Sequence, residues 1–351
     1  MAFLPLIHYQ GTIAYKELAS NTKRYTMVAM KQSSFRCGPD DAGRRFDRIL
    51  AALIAPYPVS VAYKLIRTGR ALLNGLKPKA SDRVAEGDIV SIKAWVSEPR
   101  DRSRDLQMPP SSGEGTPLRA PIIFEARDLL FLDKPSGLLS HGKGSLCEDV
   151  RHYAADRSRH SIAFKPSPLN RLDRATRGII CYGTGYRGAA AFAALLRDGK
   201  IEKRYLAVLI GEIEDASGVW IDHIDRDRDR KLSFITGDGG SEARLSWKRV
   251  CASAGLSLLD IHLETGLTHQ IRCQAASRNH PLAGDRKYGS PAMPSAWGFE
   301  NFYLRAYLMR SPVWGDFVGR ERILALPSAQ EIDALSRAFR QPIGECLARL
   351  T

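Results

Sequence analysis

The chain has no Cys-x-x-Cys pair, no apolar run of membrane length and too few acidic residues to balance its basic ones, and each shortage removes a class of protein. Its six cysteines (Cys37, Cys147, Cys181, Cys251, Cys273, Cys346) stand far apart, with no histidine at zinc-finger spacing. Neither a disulfide framework nor a structural zinc site is indicated, and no metal or cofactor is expected. Cys181 and Cys273 lie in apolar segments suited to buried free thiols. No stretch approaches the roughly 18 to 20 apolar residues that cross a bilayer, so no membrane partner is expected. The start, Met1-Ala2-Phe3-Leu4-Pro5-Leu6-Ile7-His8, has neither a basic leader ahead of a sustained apolar stretch nor a small-residue cleavage site, which reads as cytoplasmic. What the chain has in excess is positive charge. Lys and Arg number 52 against 38 Asp and Glu, a formal net charge of +14 over 351 residues. That balance favours a polyanion, with nucleic acid first, and the length suits two domains.

Residues 1–34 carry little pattern and are read as a leader, disordered or lying upstream of a start at Met27. A basic module follows. Phe46, Ile49, Leu50, Leu53 and Ile54 fall at helical spacing with charges on the other face. Ser60 is placed to cap a second helix over Val61 to Thr68, which Gly69 stops. Ala71-Leu72-Leu73-Asn74-Gly75 and the alternating strand Ile89 to Ala94 complete a small sheet under the two helices. Between Arg36 and Arg104 there are 14 Lys and Arg against 8 Asp and Glu. One face should therefore be basic, with Arg45, Lys64, Arg67 and Arg70 as RNA contacts. The pattern Arg45-Phe46-Asp47, Ser60, Gly69, Asn74-Gly75 and Gly87-Asp88 resembles the alpha-L RNA-binding domain of the ribosomal protein S-four type, which implies such a domain over residues 35–98.

Pro99, Pro109-Pro110-Ser111-Ser112-Gly113, Pro117 and Pro121 break any period, so 99–121 is read as a linker. The large domain, 122–351, opens with paired strands at Ile122 to Glu125 and Leu129 to Leu132 and the turn Asp133-Lys134-Pro135-Ser136-Gly137. Strand-like runs recur at Tyr205 to Gly211, Val219 to Ile221, Ala243 to Val250 and Leu256 to Leu263, separated by polar turns. Helical stretches are sparser, chiefly Gly188 to Arg197 and His269 to Arg278. The expected fold class is α+β, a mostly antiparallel mixed sheet beside a small α/β-type N-terminal domain. The run Asp222 to Lys231 alternates acid with arginine; the arginines would repel a cation and no glycine sits at an EF-hand turn position, so it is read as solvated charge.

The densest signal is Asn170-Arg171-Leu172-Asp173-Arg174-Ala175-Thr176-Arg177-Gly178, one acid among three arginines, ahead of the apolar run Ile179-Ile180-Cys181-Tyr182. Neighbouring guanidinium groups favour the charged form of a carboxylate. Asp173 is then poised as a nucleophile or a base and not as a proton donor.

Four segments in order resemble the RluA-type pseudouridine synthase family, and the resemblance runs from about Glu125 to Trp314. They are Asp133-Lys134-Pro135-Ser136-Gly137-Leu138; Arg171-Leu172-Asp173-x-x-Thr176-x-Gly178; Lys203-Arg204-Tyr205-Leu206-Ala207; and Leu263 to Arg272 with His280-Pro281-Leu282-x-Gly284-Asp285-x-x-Tyr288-Gly289. The resemblance implies an RNA-modifying isomerase that breaks a uridine's glycosidic bond, turns the base and rejoins it through carbon 5 without a cofactor. It makes Asp173 the essential residue, as sugar nucleophile or as base toward the neighbouring sugar proton; both roles remain open. Arg272 becomes its partner. Tyr205 becomes the platform for the uracil ring and a candidate to take the carbon-5 proton. By the same resemblance Arg171 fills the gap left by a flipped base, and Ile271 walls the ring from water. Lys134 lies beside the site as a substrate contact, and His269 fixes the loop or meets phosphate. Asp285 reads as a structural acceptor in its turn.

Asn170, Arg177, Leu267 and Arg305 depart from the family pattern, standing where His, Ser, Arg and His are usual. Ribosomal RNA of the large subunit is the expected substrate of a monomeric enzyme. Transfer RNA, or an assembly factor that binds RNA with weak or lost catalysis, are the alternatives.

Overall fold

The computed structural model describes residues 33–55, 57–93, 117–155, 161–227, 229–289, 297–348 and 350. The leader through residue 32 and the linker from 99 to 116 lie outside the described residues. The chain divides into two compact units.

In the smaller unit, β1 (Ser33–Arg36), α1 (Phe46–Leu53), α2 (Val59–Arg67), β2 (Ala71–Leu73) and β3 (Ile89–Ile92) follow in chain order, and the strands pair antiparallel as β1-β3-β2. Strand β1 thus begins inside the stretch read as leader. Phe46, Ile49 and Leu50 of α1 meet Ala62, Leu65 and Ile66 of α2 and Val90 and Ile92 of β3 in one core, as the helical spacing requires. Helix α2 starts earlier than expected. Pro58 holds the cap position in extended conformation, so Ser60 lies within the first turn and makes no cap bond. Gly69, at φ +66, ends it in the left-handed conformation that glycine tolerates best.

This unit is discontinuous in sequence, which composition did not reveal. Residues 161–164 belong to it. They are fastened by Asp41, which is fully buried and accepts hydrogen bonds from Ser161 Oγ at 2.7 Å, Ile162 N at 2.8 Å and Gly38 N at 2.9 Å. A bare carboxylate in that place would cost several kcal/mol; the backbone N–H groups supply what water would have.

The larger unit contains β4 (Ile122–Ala126), β5 (Leu129–Lys134), α3 (Leu146–Tyr153), β6 (Ser167–Pro168), β7 (Arg177–Gly183), α4 (Tyr186–Arg197), β8 (Glu202–Ile210), β9 (Ser217–Asp227), β10 (Leu232–Thr236), β11 (Ser241–Ser253), β12 (Leu256–Leu263), α5 (Gln270–Ser277), β13 (Leu304–Arg310), α6 (Gly315–Val318), β14 (Arg322–Leu324), α7 (Ala329–Phe339) and α8 (Gly344–Ala348). Its 11-stranded sheet runs β10-β9-β11-β12-β8-β13-β7-β5-β4, with β14 on β13 and β6 on β7. Only the β7–β13 pair is parallel among these neighbours. The α+β, mostly antiparallel reading therefore describes this sheet.

Alternation along the strands builds two cores. On one face Leu130, Leu132, Ile180, Tyr182, Tyr205, Ala207 and Ile261 pack with Ile271 and Ala275 of α5. On the other, Leu206, Val208 and Leu258 pack under Leu335 and Phe339 of α7, and Phe131, Ile179 and Cys181 under Phe192 of α4.

The expected elements need three corrections. Strand β9 continues through Asp227, burying Trp220 and Ile224, so Asp222 to Asp227 of the acidic and basic run lie on a strand set between β10 and β11 and not in a polar turn. The end of the proposed linker is already part of this unit: Ala120 is buried, and Arg119 forks onto Asp149 at 2.8 Å through both Nε and Nη2. Strand β13, unrecognised in the sequence, lies between β7 and β8 at the centre of the sheet. Among the described residues, no helix is long and apolar enough to cross a membrane.

Candidate active site

The loop carrying Asp173 enters β7 and is stapled to the turn after β5. Gly137 N donates to Arg174 O at 2.8 Å and Arg174 Nε returns a bond to Gly137 O at 2.8 Å. Ser136 Oγ holds Ala175 O at 2.8 Å and Ser140 Oγ holds Leu172 O at 2.9 Å. Gly178 closes the loop at φ +102, with β13 so near that a Cβ would lie 2.1 Å from Ala306 O. No other residue fits there.

Lys134 is expected to touch RNA, and here the structure corrects the reading. Its side chain is fully buried, and Nζ donates to Pro135 O at 3.0 Å, Leu138 O at 2.8 Å and Arg174 O at 3.0 Å. An ammonium has three hydrogens, and all are spent on holding the turn to the loop. Burial, only partly opposed by the Asp173 charge, lowers its pKa to about 8.

Asp173 is half-buried and meets Arg272 at its Oδ2, 2.8 Å from Nη1. The other edge of the guanidinium grips Asp285, with Nε to Oδ2 at 2.6 Å and Nη2 to Oδ1 at 2.9 Å. Burial opposes the charge on Arg272, but the hydrogen bonds and charge of Asp285, then Asp173, raise its pKa, so it stays cationic. Its plane also lies over the rings of Phe302, at 4.6 Å, and Tyr288, at 5.0 Å. Asp285 is thus an anchor for the site and not only a turn acceptor. The Gly284-Asp285-x-x-Tyr288-Gly289 spacing carried that signal.

His269 opens α5 in the left-handed region, at φ 56. Its Nδ1 lies 2.9 Å from Tyr288 Oη and its Nε2 3.7 Å from Asp173 Oδ2. Burial first, with the charges of Arg272 and Lys287, lowers its pKa to about 4 against the pull of Asp173. Tyr205, on β8, is buried, and burial and then the Asp173 charge push its hydroxyl above the ordinary tyrosine range. It is a neutral phenol at neutral pH. Ile271 is buried in the core on the same face of the sheet. Arg171 is exposed, with no hydrogen bond or ion pair among the described residues. Asp173, Arg272, His269 and Tyr205 are therefore gathered in one place, while Lys134 is withdrawn behind the loop.

In the smaller unit Arg45, expected as an RNA contact, commits Nε and Nη2 to Asp47 at 3.2 and 2.8 Å. Lys64, Arg67 and Arg70 are exposed.

The unusual residues have structural partners. Asn170 accepts from Cys181 N at 2.7 Å and donates to Ile179 O at 3.3 Å, acting as an extra rung on β7. Leu267 packs on the cluster of Ile224, Ala243 and Cys273. Arg177 and Arg305 stand opposite each other on β7 and β13 and share Glu331, at 2.9 and 3.3 Å; Arg305 also holds Asp133 at 2.6 Å.

A family model described as RNA pseudouridylate synthase matches residues 128–277. The ribosomal large subunit pseudouridine synthase D of Xylella fastidiosa is 29% identical over 72% of this chain and 73% of its own length. The ribosomal large subunit pseudouridine synthase C of Vibrio cholerae is 28% identical over 76% of this chain and 84% of its own length. The fold is shared with the solved human RNA pseudouridylate synthase domain containing 4, at TM-score 0.51 and 18% identity over 62% of this chain and 92% of that one. The chain carries an RNA pseudouridylate synthase domain over residues 128–277. The protein that carries it is an isomerase acting on RNA.

Proposed function

We propose that this enzyme converts uridine to pseudouridine in large-subunit ribosomal RNA, with Asp173 as the reacting group. The observation that carries the site assignment is the one-sided grip on the carboxylate: Arg272 holds Oδ2, and Oδ1 has no partner among the described residues. One oxygen is fixed and the other is presented to the sugar. The names of the relatives favour the ribosomal substrate, and the net charge of +14 suits a structured RNA.

Arg171, exposed at the mouth of the loop, fills the space left by the flipped uridine and offsets the few kcal/mol of unstacking. Tyr205 stacks on the uracil ring. Its neutral hydroxyl makes it a platform in preference to a base, since a phenol with a raised pKa is a poor proton acceptor. The smaller unit is an RNA-binding module of the alpha-L type that adds affinity through Lys64, Arg67 and Arg70.

The test is Asp173→Asn, which keeps the Oδ position and removes the charge. Isomerisation, read as tritium released from RNA labelled at uridine carbon 5, should fall roughly 10³-fold, while RNA affinity stays within about 2-fold. Equal tritium release by variant and wild type would remove Asp173 from the chemistry. Mapping pseudouridine across total RNA with and without the active gene assigns the substrate, and a change confined to transfer RNA would overturn the ribosomal assignment.

A further inference from the structure

We infer that His269 is a positioning residue for Asp173, held as a neutral imidazole with its Nε2–H toward the carboxylate by the hydroxyl of Tyr288. The inference rests on Asp173 being the reacting group and adds what sets the orientation of that group.

The hydrogen-bond directions leave little freedom. Ser233 N donates to Tyr288 Oη at 2.9 Å, and Ser233, buried on β10, also donates its Oγ to Thr268 O at 2.7 Å. A backbone N–H can only donate, so Tyr288 Oη accepts there and has its own hydrogen to give. Ser233 Oγ and His269 Nδ1, the latter at 2.9 Å, are both in reach, and the imidazole nitrogen is the stronger base and takes the hydrogen. A neutral ring that accepts at Nδ1 carries its hydrogen on Nε2, the nitrogen 3.7 Å from Asp173 Oδ2. The opposite tautomer would turn an Nε2 lone pair on a carboxylate and strand the phenolic hydrogen. A second proton on the ring is opposed by burial and by Arg272 of α5 and Lys287 of the 284–289 turn, against which stand Asp173 of the loop and Asp285 of that turn.

Arg272 Nη1 bonds Oδ2 at 2.8 Å, and His269 Nε2 faces the same oxygen at 3.7 Å, beyond hydrogen-bond length but near enough for its N–H dipole to favour that orientation. They orient the carboxyl plane and leave Oδ1 bare for the sugar. The line of support runs from the β9–β10 hairpin through Ser233, Tyr288 and His269 to Asp173, so the hairpin that carries the alternating charges is the outer brace of the catalytic group.

Tyr288→Phe removes the hydroxyl and keeps the ring that packs edge-on against His269, 5.6 Å between centroids. With the full-length protein and an unmodified transcript of large-subunit ribosomal RNA labelled at carbon 5, the single-turnover rate should fall about 10-fold, the worth of one oriented hydrogen bond. RNA affinity should stay within about 2-fold, because the hydroxyl faces His269 and Ser233. His269→Gln, whose amide N–H reaches the place of Nε2, should retain more activity than His269→Ala. Both variants bear the same left-handed backbone cost, so their melting temperatures should agree.

A Tyr288→Phe enzyme with the wild-type rate overturns the inference, as does a His269→Gln no better than the alanine variant. A fall in affinity in parallel with rate also overturns it, because that would mark an RNA-binding role. An inactive wild type, or an active Asp173→Asn, overturns instead the functional reading underneath.

Discussion

Arg272 has one guanidinium and two carboxylates to hold, and the division between them is unequal. Asp285 takes two bonds and is buried; Asp173 takes one and is a quarter exposed. A bidentate Arg–carboxylate pair fixes the plane of the guanidinium, so Asp285 decides where Arg272 points and Asp173 receives the remaining edge. Asp285→Asn should therefore lower the isomerisation rate about 10-fold to 100-fold with Asp173 untouched. Rate measurement beside a structure of the variant checks this, and a wild-type rate with Arg272 displaced would show that its orientation does not matter. At this scale the sequence was readable where chemistry is tied to a motif, as for Asp173 and Arg272. It misread Lys134, because a lysine beside an active-site loop looks like an RNA contact until its three carbonyl acceptors are seen. Ser233 was not readable at all: its bond to Tyr288 joins residues distant in the chain, and a serine in a strand advertises nothing.

At the scale of elements, two of the departures from the family pattern become one feature. Arg177 on β7 and Arg305 on β13 face each other and would repel, but Glu331 at the start of α7 lies between them. Burial would raise the pKa of Glu331, yet the Arg305 charge, the Ser328 N–H and Arg177 outweigh it and hold the group below its ordinary 4.5. Glu331→Gln leaves Arg305 with Asp133 alone and takes from Arg177 its carboxylate, and it also weakens the capping box with Ser328. The variant should lose roughly 3 kcal/mol of stability at neutral pH. A carboxylate whose folded pKa is depressed contributes fully above its unfolded value and loses that contribution as pH falls through the folded one. The gap between wild type and variant, measured by denaturant melts, should accordingly narrow as pH falls below the ordinary 4.5. The Ser328-x-x-Glu331 spacing was an available sign of α7. Strand β13 gave none, since Leu304-Arg305-Ala306-Tyr307 is buried on both faces and shows no alternation for a period-two reading to catch.

At the scale of the molecule, the smaller unit presents Lys64 and Arg67 one helical turn apart, with Arg70 just beyond. Replacing all three by alanine should reduce the slope of log affinity against log salt by roughly 2 to 3, about 0.7 to 0.9 for each phosphate that is no longer neutralised. An unchanged slope in filter-binding or anisotropy titrations would remove this face from the RNA interface. The larger unit has a different dependence on the whole chain. The family match ends at residue 277, yet the Asp173 loop feeds β7 and Tyr205 sits on β8, and these strands touch only through β13, residues Leu304–Arg310. During translation, a ribosome-bound chain that has released everything through α5 already carries Asp173, Tyr205, His269 and Arg272, but as two half-sheets with an empty slot between them. A strand made after them is the keystone, so the sheet that gathers these residues can close only once the chain through Arg310 is free to fold.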